Sequence, residues 1–256
     1  MTGSPPPATR DGDALPARVR LGMLTPSSNT TLEPVTARML AAAPQISAHF
    51  ARFRVTEIAL GQHALGQFDL APMLAAADLL ADARCDAVCW NGTSAGWLGF
   101  ERDRALCAAI EERTGIPAGT VVLTLAEVLR RTGAARVGLV TPYTDDVQAA
   151  IAANFAREGF EVIAERHAQV RVNFDFALIS AAQTASMIRA VAQSQPQAIV
   201  VLCTNMDGAS LAAPLEQELG IPVYDSIALA LLAALRAAGL PGGTITGYGS
   251  LFDVPA

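Results

Sequence analysis

Three stretches in the first half of the chain return with similar residues in the second half. The paired stretches are "RLGMLTPSSN" (20–29) with "RVGLVTPYTD" (136–145), "DAVCWNGTSAG" (86–96) with "QAIVVLCTNMDG" (197–208), and "TGIPAGTVVLTLAEVLRRTG" (114–133) with "LGIPVYDSIALALLAALRAAG" (219–239). A long repeat of this kind indicates a duplicated structural unit. We therefore predict two similar halves, at about 18–130 and 131–240, followed by a tail at 241–256.

Within each half, short β-branched runs alternate with longer stretches whose apolar residues recur every three to four positions. "VRLGML" (19–24) and "IPAGTVV" (116–122) are typical of strands, whereas 70–83 and 177–195 have the helical period. Such alternation is typical of an α/β fold, in which helices cover both faces of parallel sheets. The chain is therefore expected to form two such sheets.

Polar or small residues follow four of the predicted strands. These strand ends are 25–29, 91–96, 141–145 and 203–208. In open α/β sheets, ligands bind beyond the carboxyl ends of the strands. If the two halves face each other, all four ends meet at one cleft, which is the predicted binding site.

Composition excludes several classes of function. Hydrophobic residues make up 52% of the chain and charged residues 16%, which supports a sizeable core. The net charge is −6 and no basic run is present, which argues against nucleic acid or an anionic membrane as partner. No apolar run reaches the roughly 18–20 residues that span a bilayer.

The cysteines lack the spacing of a metal site, and we predict free thiols, no metal and no cofactor. They lie at positions 85, 89, 107 and 203. The start of the chain, 1–17, is Pro-rich and polar without the apolar centre of a secretory signal. We predict a disordered leader and a cytoplasmic protein.

Taken as residues alone, the candidate site side chains allow two interpretations. Cys203 ends an apolar run, which is typical of a core cysteine, yet it also precedes a predicted helix start, where a thiol pKa is lowered. Thr93 and Ser94 are suited to capping a helix or to binding a ligand. Tyr143 is either a loop residue or a site residue.

Five motifs resemble one known superfamily. They are "TPSSNTTLEP" (25–34), "GTS" (92–94), "PYTDDV" (142–147), "CTN" (203–205) and "GYGSLFD" (247–253). With them the chain resembles the aspartate/glutamate racemase superfamily, in the branch of maleate cis-trans isomerases and arylmalonate decarboxylases. The resemblance implies two flavodoxin-like halves, related by a pseudo-twofold axis, with the active site in the cleft between them.

The resemblance also bears on the reaction. Racemases and isomerases of the superfamily use two cysteines, one from each half, on either side of the substrate. Here Gly92 stands at the first position and Cys203 at the second, as in arylmalonate decarboxylase. In this interpretation Gly92 leaves room and removes the second acid. Cys89 is expected to lie inside its strand.

We therefore expect a cofactor-independent decarboxylase of a disubstituted malonate or related dicarboxylic acid. Its enediolate intermediate would be held in a dioxyanion hole and protonated by Cys203. The predicted catalytic residues are Cys203, Thr93, Ser94 and Tyr143, and the predicted substrate-binding residues are Gly92, Pro26, Ser27, Asn29, Thr204, Asn205 and Asn91.

Other functions stay open at this stage. The first loop is isomerase-like and favours a maleate isomerase, or a racemase, that uses Cys203 as nucleophile or acid/base. A non-catalytic dicarboxylate-binding protein is a third possibility. Asn173 suggests a polar pocket, whereas Trp90 and Trp97 suggest an apolar subsite, with core packing as the favoured alternative for Trp90. The predicted partner is a small dicarboxylate, and the predicted state is a monomer or homodimer.

Overall fold

The computed structural model describes residues 18–61 and 66–255, so the predicted leader and His63 lie outside the described residues. Eight strands in this part of the chain form two sheets. The strands are β1 (Val19–Pro26), β2 (Ile46–Phe53), β3 (Ala87–Trp90), β4 (Ala118–Thr120), β5 (Arg136–Thr141), β6 (Glu161–His167), β7 (Ala198–Val201) and β8 (Val223–Asp225).

The two sheets have the same topology. Their strand orders are β2-β1-β3-β4 and β6-β5-β7-β8, and every neighbouring pair is parallel. In each sheet the first strand of the half lies between the second and the third. The predicted duplication and the α/β fold class are thereby confirmed.

Nine α-helices in the described part of the chain cover these sheets. They are α1 (Leu32–Leu40), α2 (Leu70–Asp82), α3 (Ala95–Leu98), α4 (Glu101–Thr114), α5 (Val121–Thr132), α6 (Asp145–Arg157), α7 (Ala181–Ala192), α8 (Ala209–Leu219) and α9 (Ser226–Ala237). Helices α1 and α2 pack on the first sheet, and α6, α7 and α8 on the second. Helix α9 follows the second sheet but packs against β3 and β4 of the first.

Helix caps explain where two strands stop. The Thr120 hydroxyl accepts from the N–H of Leu123, and Asp225, at the equivalent place in the second half, accepts from the N–H groups of Ile227 and Ala228. Each cap satisfies N–H groups that have no partner inside the helix. The predicted strand 116–122 is therefore too long, because the Thr120 cap starts α5 at the next residue.

The predicted helix at 177–195 is also shorter in the structure. Ser180 caps α7, since its hydroxyl accepts from the N–H of Gln183. The preceding residues form a 3₁₀ helix, Asn173–Leu178. Further 3₁₀ turns lie at Gly66–Phe68, Gly242–Thr244 and Ser250–Asp253. In the tail, Ser250 donates to the Glu216 carboxylate and thereby attaches to the second half.

Buried hydrogen bonds join the loops that follow β1 and β7. The Asn205 amide oxygen accepts from the N–H groups of Thr30 (3.0 Å) and Thr31 (3.2 Å), and its NH₂ donates to the carbonyl of Asn173 (2.6 Å). The Asn29 NH₂ donates to the carbonyl of Thr204 (3.0 Å). These bonds fix the second half against the first at the carboxyl ends of the strands.

Across residues 18–61 and 66–255, no helix combines the length and the apolar character needed to cross a membrane.

Replacement of Asn205 by Ala should lower the free energy of unfolding by about 1–3 kcal/mol. It removes the part-buried hydrogen bonds from Thr30 and Thr31 in one half and leaves the carbonyl of Asn173 in the other half without this donor. Urea unfolding would measure the change. Arg38→Ala is the matched control, since the Arg38–Asp207 ion pair joins the same two halves at a site where the arginine side chain is 52% exposed. Equal effects of the two substitutions would contradict the structural role of Asn205.

Candidate active site

A small cavity lies between the carboxyl ends of the two sheets, with walls from both halves. Seven of the predicted site residues line it, namely Pro26, Gly92, Thr93, Ser94, Tyr143, Cys203 and Thr204. The remaining lining residues are Val55, Ile58, Phe68, Trp90, Trp97 and Asn173. About 20 Å³ of it is open to the centre of a water molecule, which is room for about one or two waters.

Gly92 and Cys203 occupy equivalent places in the two halves. Each lies two residues beyond the end of its strand, β3 for Gly92 and β7 for Cys203. Since β3 and β7 hold the same position in their sheets, the duplication brings the two residues to the cavity from opposite halves. The cavity therefore contains one thiol, opposite a glycine.

The Cys203 thiol is buried, and burial raises its pKa to about 12. The N–H of Asn205, 3.4 Å from Sγ, and the nearby Tyr143 hydroxyl act in the opposite direction. We expected a helix N-terminus to lower this pKa, but α8 begins only at Ala209. That expectation is wrong, because desolvation outweighs the single N–H that reaches the sulfur.

Thr93 and Tyr143 form a hydroxyl pair in the wall of the cavity. Their oxygen atoms are 2.7 Å apart, and both side chains are buried. Burial raises the pKa of the Tyr143 hydroxyl well above its ordinary value, so this group keeps its proton and can donate. The Tyr143 ring is held edge-on between Trp97 and Phe176.

Backbone N–H groups add further donors to this wall. Thr93 and Ser94 precede the short helix α3, and Thr204 follows Cys203. Their N–H groups donate to no acceptor within the described part of the chain. Together with the hydroxyls, they give the cavity several neutral donors and few acceptors, which suits an anionic ligand.

The space beside Gly92 is filled by the indole of Trp90. A Cβ atom added to Gly92 would lie 1.9 Å from Cζ2 and 2.5 Å from Cη2 of Trp90. The Trp90 ring itself packs against Phe53, with ring centroids 5.1 Å apart. The expectation that Gly92 leaves room opposite Cys203 is therefore wrong, because an aromatic ring occupies that room.

Four predicted binding residues are not among the lining residues. The hydroxyl of Ser27 accepts from the N–H of Val55. Asn29 and Asn205 bridge the halves, as described above, and Asn91 donates to the carbonyls of Leu24 (3.0 Å) and Cys89 (3.1 Å). These amide NH₂ groups hold the loops, whereas the Asn91 amide oxygen is buried without a partner. A direct contact of these residues with substrate stays a prediction.

Sequence reasoning missed three lining residues, Val55, Ile58 and Phe68. They lie between β2 and α2 in the chain. No polar or periodic signal marks them, since they are single apolar residues in an irregular segment. They give one wall of the cavity an apolar surface.

The remaining thiols and the described histidines do not line the cavity. Cys89 lies inside β3, as expected, and burial raises its pKa well above the ordinary value. His49 bonds to Ser47, and His167 bonds to Glu165 and Asp145. Among the described residues, no group of three or more His, Cys, Asp or Glu side chains could hold a metal ion.

Comparison with known proteins assigns the chain to a family. A family model described as arylmalonate decarboxylase matches residues 29–252. The maleate isomerase of Nocardia farcinica is 29% identical over 235 residues, which is 87% of this chain and 91% of that protein. The arylmalonate decarboxylase of Bordetella bronchiseptica is 30% identical over 165 residues, 63% of this chain and 69% of that protein.

A solved structure has the same fold. It is a mutant of the Nocardia farcinica maleate cis-trans isomerase with a covalently bound succinylcysteine intermediate, and it superimposes with a TM-score of 0.82 at 26% identity over 91% of this chain and 98% of that chain. The relatives are enzymes that act on small molecules. The chain therefore belongs to the arylmalonate decarboxylase family, in the branch of the aspartate/glutamate racemase superfamily that also holds the maleate isomerases, and it is an enzyme.

Proposed function

We propose that this enzyme decarboxylates a disubstituted malonate or a related dicarboxylic acid without a cofactor. The observation that carries the proposal is the single protonated thiol of Cys203, which shares a cavity of neutral donors with Gly92 from the other half. In the proposed reaction, the bond between the α-carbon and one carboxylate breaks. CO₂ leaves, and its bonding electrons form an enediolate with the remaining carboxylate.

The donors of the cavity are suited to this intermediate. Two oxygen atoms of the enediolate carry developing negative charge, and preorganised donors stabilise such charge without the cost of reorganising water. We assign this role to the hydroxyls of Thr93, Ser94 and Tyr143 and to the free N–H groups beside them. Removing one donor from a hole of this type lowers kcat by about 10²–10³ in other enzymes.

Cys203 then supplies the proton. Its thiol donates to one face of the planar α-carbon, and the thiolate takes a proton back from solvent after the product leaves. On the opposite side, Gly92 has no side chain and the Trp90 indole carries no acid at neutral pH. A proton delivered from one side only gives one enantiomer of the monoacid.

The second candidate is a maleate isomerase, favoured by the high coverage of the isomerase relatives. In that reaction a thiolate adds to the double bond of maleate, rotation follows, and the thiolate leaves. The raised pKa of Cys203 counts against this role, because the nucleophile is the thiolate. We therefore place isomerisation second.

Proton NMR in D₂O distinguishes the two reactions. Purified protein is offered 2-methyl-2-phenylmalonate, small alkylmalonates and maleate in separate samples. We expect loss of CO₂ with one deuterium placed on a single face of the monoacid, and loss of this activity in Cys203→Ala. The folded control is Cys107→Ala, since Cys107 lies outside the cavity. Fumarate from maleate, with no decarboxylation, would overturn the proposal.

The pH dependence of the reaction gives a second test. With a pKa of about 12, Cys203 keeps its proton from pH 6 to 10, so a step that needs the thiol should not lose rate as pH rises in that range. Alkylation by iodoacetamide should be slow at pH 8, where only roughly one thiol in ten thousand is ionised, and should accelerate with pH. A turnover rate of the substrate that rises tenfold per pH unit in this range would indicate a thiolate nucleophile instead.

Introducing a functional thiol at position 92 should require two substitutions. Gly92→Cys alone forces its Cβ into the Trp90 ring and should lower the melting temperature without racemising the product. Gly92→Cys combined with Trp90→Leu relieves the overlap, so the loss of stability should be smaller than the sum of the single changes. Thermal unfolding and exchange of the α-proton of the chiral monoacid in D₂O measure both effects. Racemisation by a stable Gly92→Cys single variant would contradict the overlap.

A further inference from the structure

A second cavity of about 20 Å³ lies behind the wall of the active site. It shares three side chains with the catalytic cavity, those of Phe68, Trp90 and Ser94. These side chains are therefore all that the two cavity walls have in common. Each cavity alone has room for about one or two water molecules, so side chains of the walls must move before a diacid with two substituents fits.

The second cavity contains a carboxyl group with an unused oxygen. Asp103, in the first turn of α4, is 2% exposed, and its Oδ2 atom is buried without a hydrogen-bond partner. Arg102 also lines the cavity, but within the described residues no ion pair joins it to Asp103. Burial raises the pKa of Asp103 to about 7, while a hydrogen bond with Thr120 acts in the opposite direction.

An unpartnered carboxyl oxygen in such a place is costly to the fold. A buried polar group without a partner destabilises a protein by its full desolvation cost, and structures retain few of them. Asp103 is in addition not needed for the chemistry proposed above, since it does not line the catalytic cavity. A ligand group that donates a hydrogen bond would satisfy Oδ2.

Trp90 is one of the three side chains that the catalytic cavity and the Asp103 cavity share. Its indole lies against Gly92 and also lines the Asp103 cavity. A displacement of the ring would join the two spaces, and it would also open the position beside Gly92. Among the three shared residues, Trp90 has the largest side chain.

We propose that the Asp103 cavity is a substituent subsite of the active site, entered when the Trp90 indole is displaced, and that it takes a substituent carrying a hydrogen-bond donor such as a hydroxyl, an amine or a ring N–H. This subsite rests on the proposed function only for the identity of the acid to which the substituent is attached. It makes Trp90 and Asp103 specificity-determining residues, and neither takes part in proton transfer.

The first experiment uses the full-length Trp90→Ala variant, in which the two cavities are joined. Phenol and toluene are the probes, because they have nearly the same shape and differ by one O–H group. Isothermal titration gives the ratio of their affinities. We expect the ratio to favour phenol about tenfold or more relative to the same ratio in Trp90→Ala/Asp103→Leu. An unchanged ratio would overturn the subsite and leave Asp103 bound to water alone.

The second experiment tests whether the Trp90 side chain moves on ligand binding, in a variant that retains Trp90. The chain has two tryptophans, Trp90 and Trp97, so the Trp97→Phe variant reports Trp90 fluorescence alone. When a diacid raises the melting temperature of this variant, the emission should shift with the same concentration dependence. Stabilisation without a change in emission would show that Trp90 stays in place and would overturn its displacement.

These outcomes are separate from the fate of the proposed reaction. If no diacid is turned over, the decarboxylase proposal fails, yet the phenol-to-toluene ratio still tests the subsite. If Asp103→Leu does not fold, Asp103→Ala replaces it, because alanine has no side-chain oxygen to accept the phenol O–H and should likewise remove the preference for phenol. If Trp90→Ala does not fold, Trp90→Leu serves as the joined-cavity variant.

Discussion

The hydrogen bonds of three buried residues across the two halves are the interaction on which the site depends. Asn29 donates to the Thr204 carbonyl, the Thr204 hydroxyl donates to the Asn91 carbonyl, and Asn205 accepts from the loop after β1. The Asn29 amide NH₂, the Thr204 hydroxyl and the Asn205 amide oxygen belong to buried residues and have their partners in the opposite half. The halves therefore cannot separate without a desolvation cost. These bonds hold the loop that carries Cys203 against the loop that carries Gly92, and they explain why the polar residues at the strand ends are numerous although only some reach the cavity.

The polar groups that line the cavity are neutral hydrogen-bond donors, and this property limits the chemistry that the cavity can support. None of the side chains that line it within the described residues is an Asp, Glu, Lys, Arg or His. Burial then keeps both Cys203 and Tyr143 protonated, since the hydrogen bonds that would stabilise an anion at either position do not outweigh its desolvation. A ligand that brings its own negative charge finds donors already oriented, whereas a thiolate would have to form in a site that disfavours it. In the proposed reaction, desolvation keeps Cys203 in the protonated form from which it donates, whereas the thiolate that a nucleophile needs before the reaction starts is disfavoured. In the neighbouring cavity, the Asp103 carboxyl is also desolvated, and its Oδ2 atom lacks a hydrogen-bond donor.

Much of this arrangement could be predicted from particular residues. The repeat around Gly92 and Cys203 placed both beyond equivalent strands, and seven of the eleven predicted site residues line the cavity. Asn29, Asn91, Asn205 and Ser27 could not be assigned in this way, because an amide or hydroxyl at a strand end is suited equally to a ligand and to a loop. Only the position of the other half decides which partner it finds. Val55, Ile58 and Phe68 had no signal at all, since an apolar residue in a connection gives no period to detect.

The sequence by itself determined the duplicated α/β architecture, the positions of the strand ends and the presence of one cysteine opposite a glycine, because these follow from local periodicity and from the repeat. The tertiary structure decided the properties that depend on neighbours distant in the chain. Burial by both halves raises the pKa of Cys203. The lowering that we expect from a helix N-terminus is absent, because α8 begins too far along the chain to reach the thiol. Packing placed the Trp90 ring in the space beside Gly92, and it left Asp103 facing a cavity rather than solvent. Desolvation and close packing are sums over contacts from the whole fold, and no short stretch of sequence contains them.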